Sequence, residues 1–170
     1  MKLLFRKEVK MEKYIGVKLI KAMPMNRGEY CRYRGWQGPE DENKYNDGYL
    51  VEYLDSPSDA HPDHAGYISW SPKDVFEEAY RRITDMTFGL AIEAAKKGMK
   101  IARRGWNGKD MFLYHVPADS YKATTDVAKF LLGDMVEYGA YLAMKTAQGN
   151  VVPWLASQTD MLAEDWFIVE

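Results

Sequence analysis

The sequence predicts an α+β protein made of two small units, the C-terminal one a helix packed on an antiparallel sheet of hairpins. Short stretches that alternate apolar with polar or glycine residues recur along the chain, and two pairs of them flank the turn residues Asn107-Gly108 and Gln148-Gly149-Asn150. The clearest helical pattern, Phe88, Ala91, Ile92 and Ala95, opens at Thr87 with a cap of its own, directly after an earlier helical pattern has ended. That restart sets a junction at Thr84 to Met86. It divides the chain into 1–10, an extension or alternative start ahead of Met11, then 11–83, a first α+β module, and 84–170, a second. No internal repeat relates the halves, and no low-complexity tract occurs.

In the first module, Tyr14 to Ala22 alternates apolar with Gly or Lys and reads as a strand that ends at Pro24. Asn26 to Gly35 reads as a short helix. Gly35 to Gly48, rich in Gly, Pro, Asp and Asn, is a long surface loop. Gly48 to Leu54 resumes as a strand, a polar loop runs through Ala65, and Gly66 to Trp70 is another strand. Ser71-Pro72 then opens a helix, with serine as the cap and proline at the first position. Val75, Phe76, Ala79 and Ile83 form its apolar face. Glu77 with Arg81 and Glu78 with Arg82 are four apart, in an order worth about 0.2 to 0.5 kcal/mol per pair.

In the second module, the helix from Thr87 ends with Lys96, Lys97 and Gly98. Met99 to Arg103 and Met111 to Val116 flank Gly105-Trp106-Asn107-Gly108-Lys109 as a hairpin. Pro117 to Thr125 is loop, and Asp126 to Leu132 forms one or two helical turns. Tyr138 to Thr146 and Val151 to Leu155 make a second hairpin, whose last strand Pro153 stops or places at an edge because proline has no N–H to give the ladder. Ser157 has the character of an N-cap, with Asp160 three residues on where a capping box holds Glu or Gln. Met161 and Leu162 give this short helix an apolar side, and Trp166 to Val169 closes the chain as a strand.

A formal charge of -2 and a pI near 6.0 argue against a nucleic-acid polymer as partner, because such binding rests on clustered Lys and Arg. A small phosphorylated ligand remains allowed. The single cysteine, Cys31, makes no intramolecular disulfide or thiolate cage, so a reducing compartment is expected. Leu3, Leu4 and Phe5 fall far short of a signal-peptide core, and the expected location is the cytoplasm, with no membrane partner. The five Trp and twelve Tyr fit either stacking surfaces or the filling of two small cores.

His61 and His64 are separated by Pro62-Asp63 and lie on no helix that would aim both rings at one point, so no metal site is assigned to them. His115 stands alone in a strand. The chain carries neither a G-x-S-x-G elbow nor a phosphate-binding glycine loop, and no cofactor is expected. Trp106 on a turn has poor access to a core, which favours ring stacking with Asn107 and Lys109 as polar partners as much as it favours packing. Arg103 and Arg104 beside it have the chemistry to meet phosphate or to lie solvated at a strand edge. Around Trp154, a ring, a hydroxyl, an amide and a carboxylate (Ser157, Gln158, Asp160) crowd one strand-to-helix corner. At such a corner the free N–H groups of a helix start can meet an anion while the ring stacks on a flat ligand.

Several ordered motifs run from Met86 to Glu170: Thr87-Phe88-Gly89 with Ala91, Ala102-Arg103-Arg104-Gly105-Trp106-Asn107-Gly108-Lys109, Met111-Phe112-Leu113-Tyr114, Met144-Lys145-Thr146, and Val152-Pro153-Trp154 through Trp166. In them the sequence closely resembles the phage-encoded Thoeris anti-defence family of the second type. The resemblance implies a homotetrameric sponge that sequesters, without cleaving, cyclic ADP-ribose-type signals made by bacterial TIR enzymes, some members also holding cyclic dinucleotides. It implies action in the infected host's cytoplasm. By it, the pocket would use Phe88, Trp106, Asn107, Phe112, Trp154, Ser157, Gln158 and Asp160, to which the residue chemistry adds Arg104 and Lys109. Asp126 to Glu137, which would form the pocket rim, fits the family pattern less clearly. Asp47 to Leu54 and Gly66 to Phe76 resemble a module that recurs in phage proteins. The rival reading from the residues is a metal-dependent phosphodiesterase or nucleotide hydrolase using Asp160, Glu164 and Asp165. A third reading makes the first module a protein-interaction unit.

Overall fold

A computed structural model describes residues 16–38, 40–57 and 61–170. The extension at 1–10, the strand start at Tyr14 and part of the polar loop before Ala65 lie outside them. The chain is α+β, and it divides into two compact units between Phe76 and Glu77.

The first unit is a three-stranded antiparallel sheet in the order β1 (Ile20–Pro24), β2 (Gly48–Pro57), β3 (Gly66–Pro72), with helix α1 (Arg27–Tyr33) between the first two strands. Asn26 caps α1 in a full capping box, its side chain accepting from Glu29 N while the Glu29 carboxylate accepts from Asn26 N. Tyr30 from the helix meets Leu50 and Ile68 from the sheet, with Met25, Tyr33 and Trp70 around them. Glu52 is buried in β2 and is satisfied by the N–H groups of Ala65 and Gly66 at 2.9 and 3.1 Å. Gly66 is needed there: a Cβ would stand 2.0 Å from the Tyr53 carbonyl oxygen.

Helix α2 (Lys73–Ala79) starts after Pro72, which is the last residue of β3, so Ser71-Pro72 closes a strand instead of capping a helix. Its expected apolar face is also corrected, for α2 buries no residue and Val75 is 53% exposed. With the helix over by Ala79, Arg81 turns back to donate to the carbonyl oxygens of Glu77 and Glu78. The division within α2 precedes the expected junction at 84–86 because Ile83 and Met86 are tied to the last strand of the second unit, their carbonyls accepting from Ile168 N and Trp166 N.

In the second unit, helix α3 (Phe88–Lys96) leads into β4 (Lys100–Arg103) and β5 (Phe112–Val116). Next come a small ribbon of β6 (Asp119–Lys122) and β7 (Met135–Tyr138) joined through helix α4 (Asp126–Leu132), then β8 (Tyr141–Lys145), β9 (Val151–Pro153), helix α5 (Gln158–Met161) and β10 (Trp166–Val169). The main sheet runs β10-β4-β5-β8-β9, every pair antiparallel. Alternation puts Ile101, Leu113, Met144 and Ile168 on the face that packs against Ala91, Ala94 and Ala95 of α3. Thr87 holds the N-cap position of α3 without a side-chain hydrogen bond.

The β4–β5 connection is not the tight Asn-Gly turn expected. The non-glycine residue with positive φ there is Asp110, at 56°, and the loop from Arg104 to Met111 is long enough to fold Trp106 inward. Asp119 to Lys122, read as loop, is strand β6, which pairs with β7 although all four of its residues are exposed. The expected apolar side of α5 faces outward, Met161 being 44% and Leu162 79% exposed.

Candidate functional site

Four aromatic rings meet where α3 begins and the main sheet ends. Trp166, fully buried, is the hub, with Phe88 at 5.3 Å, Trp106 at 5.4 Å and Trp154 at 6.1 Å between ring centroids. Trp154 also lies 6.1 Å from Phe88 and 6.2 Å from Trp106, all edge-on or tilted contacts of the favourable kind. Each ring is brought in by a chain end of an element. Phe88 opens α3, Trp106 folds back from the β4–β5 loop, Trp154 continues β9 through a 2.8 Å bond from its N–H to Leu142 O, and Trp166 opens β10.

Asp160 ties this cluster to the sheet. Its Oδ1 accepts from Arg103 Nη1 at 2.8 Å and from Trp106 Nε1 at 3.2 Å, its Oδ2 accepts from the Ser157 hydroxyl at 2.6 Å and from Ser157 N at 3.1 Å, and its carbonyl accepts from Trp166 Nε1 at 3.0 Å. Asp160 N donates to Ser157 Oγ at 3.1 Å, completing a capping box with aspartate at the third position. Arg103 reaches on through Nε to Asp165 at 2.8 Å, and the other Asp165 oxygen accepts from Gly105 N at 2.8 Å.

These contacts correct three expectations. Trp106 has access to the core and uses it. Arg103 is no solvated edge residue but the cation that binds the Asp160 and Asp165 carboxylates. At the start of α5 the Asp160 carboxylate already accepts from Ser157 N and the Ser157 hydroxyl from Asp160 N, so a negative charge of the chain's own stands where an anion would dock. Glu164 is exposed.

Burial pushes the Asp160 carboxyl up, but the Ser157 hydroxyl, the Arg103 guanidinium and the Trp106 indole N–H outweigh burial and hold it at about 2, against an ordinary 3.8. Asp165 is likewise lowered: burial raises it, and Arg103 and Gly105 N more than offset that. A depressed carboxylate contributes stability that is complete above its unfolded value and is lost as pH falls toward its folded value. Asp160 is therefore expected to contribute about 2 kcal/mol at pH 5, draining away between about pH 4 and pH 2. Urea melts at pH 5 and pH 2.5 check this. Asp160→Asn should show a flatter dependence, and an equal slope in both proteins would refute the assignment.

On the opposite face of the sheet lies a cavity of about 360 Å³, walled by Arg103, Trp106, Phe112, Lys145 and Phe167 among others. Lys100 and Lys145 hold their ammonium groups 5.8 and 5.9 Å from the Phe112 ring. Of the residues expected in a pocket, the structure gathers Phe88, Trp106, Trp154, Ser157 and Asp160 at the cluster, and Phe112 shares the cavity with Trp106. Arg104 is instead ion-paired with Asp85, and Asn107, Lys109 and Gln158 are exposed beside these features. Sequence reasoning missed Lys145 and the joining role of Arg103. Strand alternation was the available signal, since it sets Arg103 opposite Trp166 and Lys145 opposite Phe112.

A family model described as the Thoeris anti-defense 2-like domain matches residues 86–169. The chain is also 42% identical, over 89 residues, to Thoeris anti-defense 2 of Bacillus phage SP01, an alignment covering 51% of this chain and 97% of that protein. The chain belongs to the Thoeris anti-defense 2-like family. The family domain contains the whole ring cluster, the Arg103–Asp160–Asp165 network and the Phe112 cavity, whereas the first unit lies outside it. Among the described residues, no helix is long and apolar enough to cross a membrane.

Proposed function

We propose that the second unit serves phage anti-defence by binding and sequestering cyclic nucleotides of the cyclic ADP-ribose type, with cyclic dinucleotides as a further ligand class, and that it does not cleave them. The site would lie in the cytoplasm of the infected bacterium. The carrying observation is the family match, whose span takes in the tryptophan cluster and its fixed polar frame. The partly exposed rings of Trp154 and Trp106 and the exposed Ser157, Gln158, Asn107 and Lys109 would supply the stacking and polar contacts such a ligand needs. A cyclic ADP-ribose has roughly 35 non-hydrogen atoms. At about 0.3 kcal/mol per atom it would gain roughly 10 kcal/mol, a dissociation constant of tens of nanomolar.

The hydrolase alternative would place Asp160, Glu164 and Asp165 around a cation. Asp160 and Asp165 are already committed to Arg103, and among the described residues no three His, Cys, Asp or Glu side chains are grouped to hold a metal ion. Incubating the protein with the signal, heating to denature it, and analysing the released small molecule separates the two. Intact nucleotide is expected, and a linear or hydrolysed product would overturn the reading.

We also propose a homotetramer built through this unit. Its support is the exposed apolar surface of α4 and the start of β7, where Val127, Phe130, Leu131, Leu132 and Met135 are 56 to 88% exposed. Phe130→Glu is expected to lower the mass found by light scattering, and a monomeric wild-type protein would sink the proposal.

A further inference from the structure

The first unit holds a cavity of about 540 Å³, built wholly from its own residues and within the usual range for a small-molecule site. One wall is α1, with Arg27, Cys31 and Arg32. The other is the loop before β2, with Trp36, Glu42, Lys44 and Tyr45. The loop is a built wall, because Gly28 N donates to Lys44 O at 2.9 Å, Arg27 N to Asn46 O at 2.9 Å and Trp36 N to Cys31 O at 2.8 Å.

The chemistry of the lining is uneven. Arg27 is neutralised by Glu42 at 2.8 Å, whereas Arg32 and Lys44 are exposed and make no ion pair among the described residues. Two aromatic rings stand beside these cations with far more exposure than packing requires, Trp36 at 51% and Tyr45 at 87%. Arg34 lies 4.3 Å from the Trp36 ring and fixes its orientation. Two uncompensated cations match a phosphate dianion, and rings held open beside them match a flat heterocycle. Glu40, also in the lining, can accept from a sugar hydroxyl.

We propose that this cavity binds a nucleoside monophosphate, its phosphate on Arg32 and Lys44 and its base against Trp36 or Tyr45. The site shares no residue with the ring cluster of the second unit, so either reading can fail without the other.

Cys31, the only cysteine in the chain, gives a local readout, since it lines the cavity at 7% exposure and a Cβ at Gly38 would stand 3.3 Å from its sulfur. The experiment titrates the full chain with the common nucleoside monophosphates, following calorimetric heat and the rate at which a disulfide reagent labels Cys31. Inorganic phosphate alone is the control. Micromolar binding of at least one monophosphate that slows labelling is expected, with inorganic phosphate much weaker. Trp36→Ala or Tyr45→Ala should weaken binding by about 5- to 150-fold, and Lys44→Ala should do so in a salt-dependent way. Tyr45 and Lys44 are exposed, so these two variants keep the fold. Trp154→Ala should leave this binding unchanged. The proposal is overturned if no monophosphate binds at millimolar concentration, if inorganic phosphate binds as well, or if binding ignores the ring and Lys44 variants.

Discussion

Trp166→Ala is expected to remove about 3 to 5 kcal/mol from the second unit, enough to unfold a domain of ordinary stability. The ring is fully buried, touches Phe88, Trp106 and Trp154, and donates its indole N–H to Asp160 O at 3.0 Å. Its loss would leave a cavity among four elements and an acceptor without its donor. Trp154→Ala should behave differently. That ring is only partly buried at the margin of the cluster, so the variant should melt somewhat lower yet stay folded, while losing about 5- to 150-fold in affinity for a stacked nucleotide. Thermal melts and calorimetry on both variants decide the matter. If Trp154→Ala binds normally, or melts as low as Trp166→Ala, the ligand does not stack there.

Arg103→Ala should cost about 3 kcal/mol, because it removes the one guanidinium that two partly buried carboxylates share. The Arg103 side chain is 16% exposed, and it meets Asp160 through Nη1 and Asp165 through Nε, with Thr159 O as a third acceptor. A lysine has one ammonium point and no fork, so Arg103→Lys should recover little. Chemical denaturation of both variants tests this. Full rescue by lysine would mean that charge alone, and not the forked geometry, holds α5 to the sheet.

Much of the second unit was legible because local chemistry and tertiary role agree there. The alanine stripe of α3, the alternation of β4, β5 and β8, Pro153 at the end of β9 and the Ser157–Asp160 cap all act over a few residues. Where the partners are distant in sequence, the reading fell short. Nothing near Trp106 announces that its loop folds inward, since the acceptor that holds its indole N–H is the distant Asp160 carboxylate. Arg103 looked like its neighbour Arg104, and only pairing with β10 gives one a buried network and the other an exposed partner in Asp85. Strand β6 carries no apolar alternation, and its four exposed residues are joined to β7 by the backbone ladder and one Tyr121–Tyr138 ring contact. In the candidate site, the rings and the cap were foreseeable, but the cation that joins them was not.

The borders of the main sheet bear on how this protein avoids clumping. At one border β9 is three residues long and finishes in Pro153, which has no amide hydrogen to offer. At the other, Met86 bridges Trp166 and Ile83 accepts from Ile168, so a neighbouring stretch of the same chain occupies the outer rim of β10. A foreign strand finds little open ladder to extend on either side, which guards a β-rich protein against amyloid-like stacking at high expression.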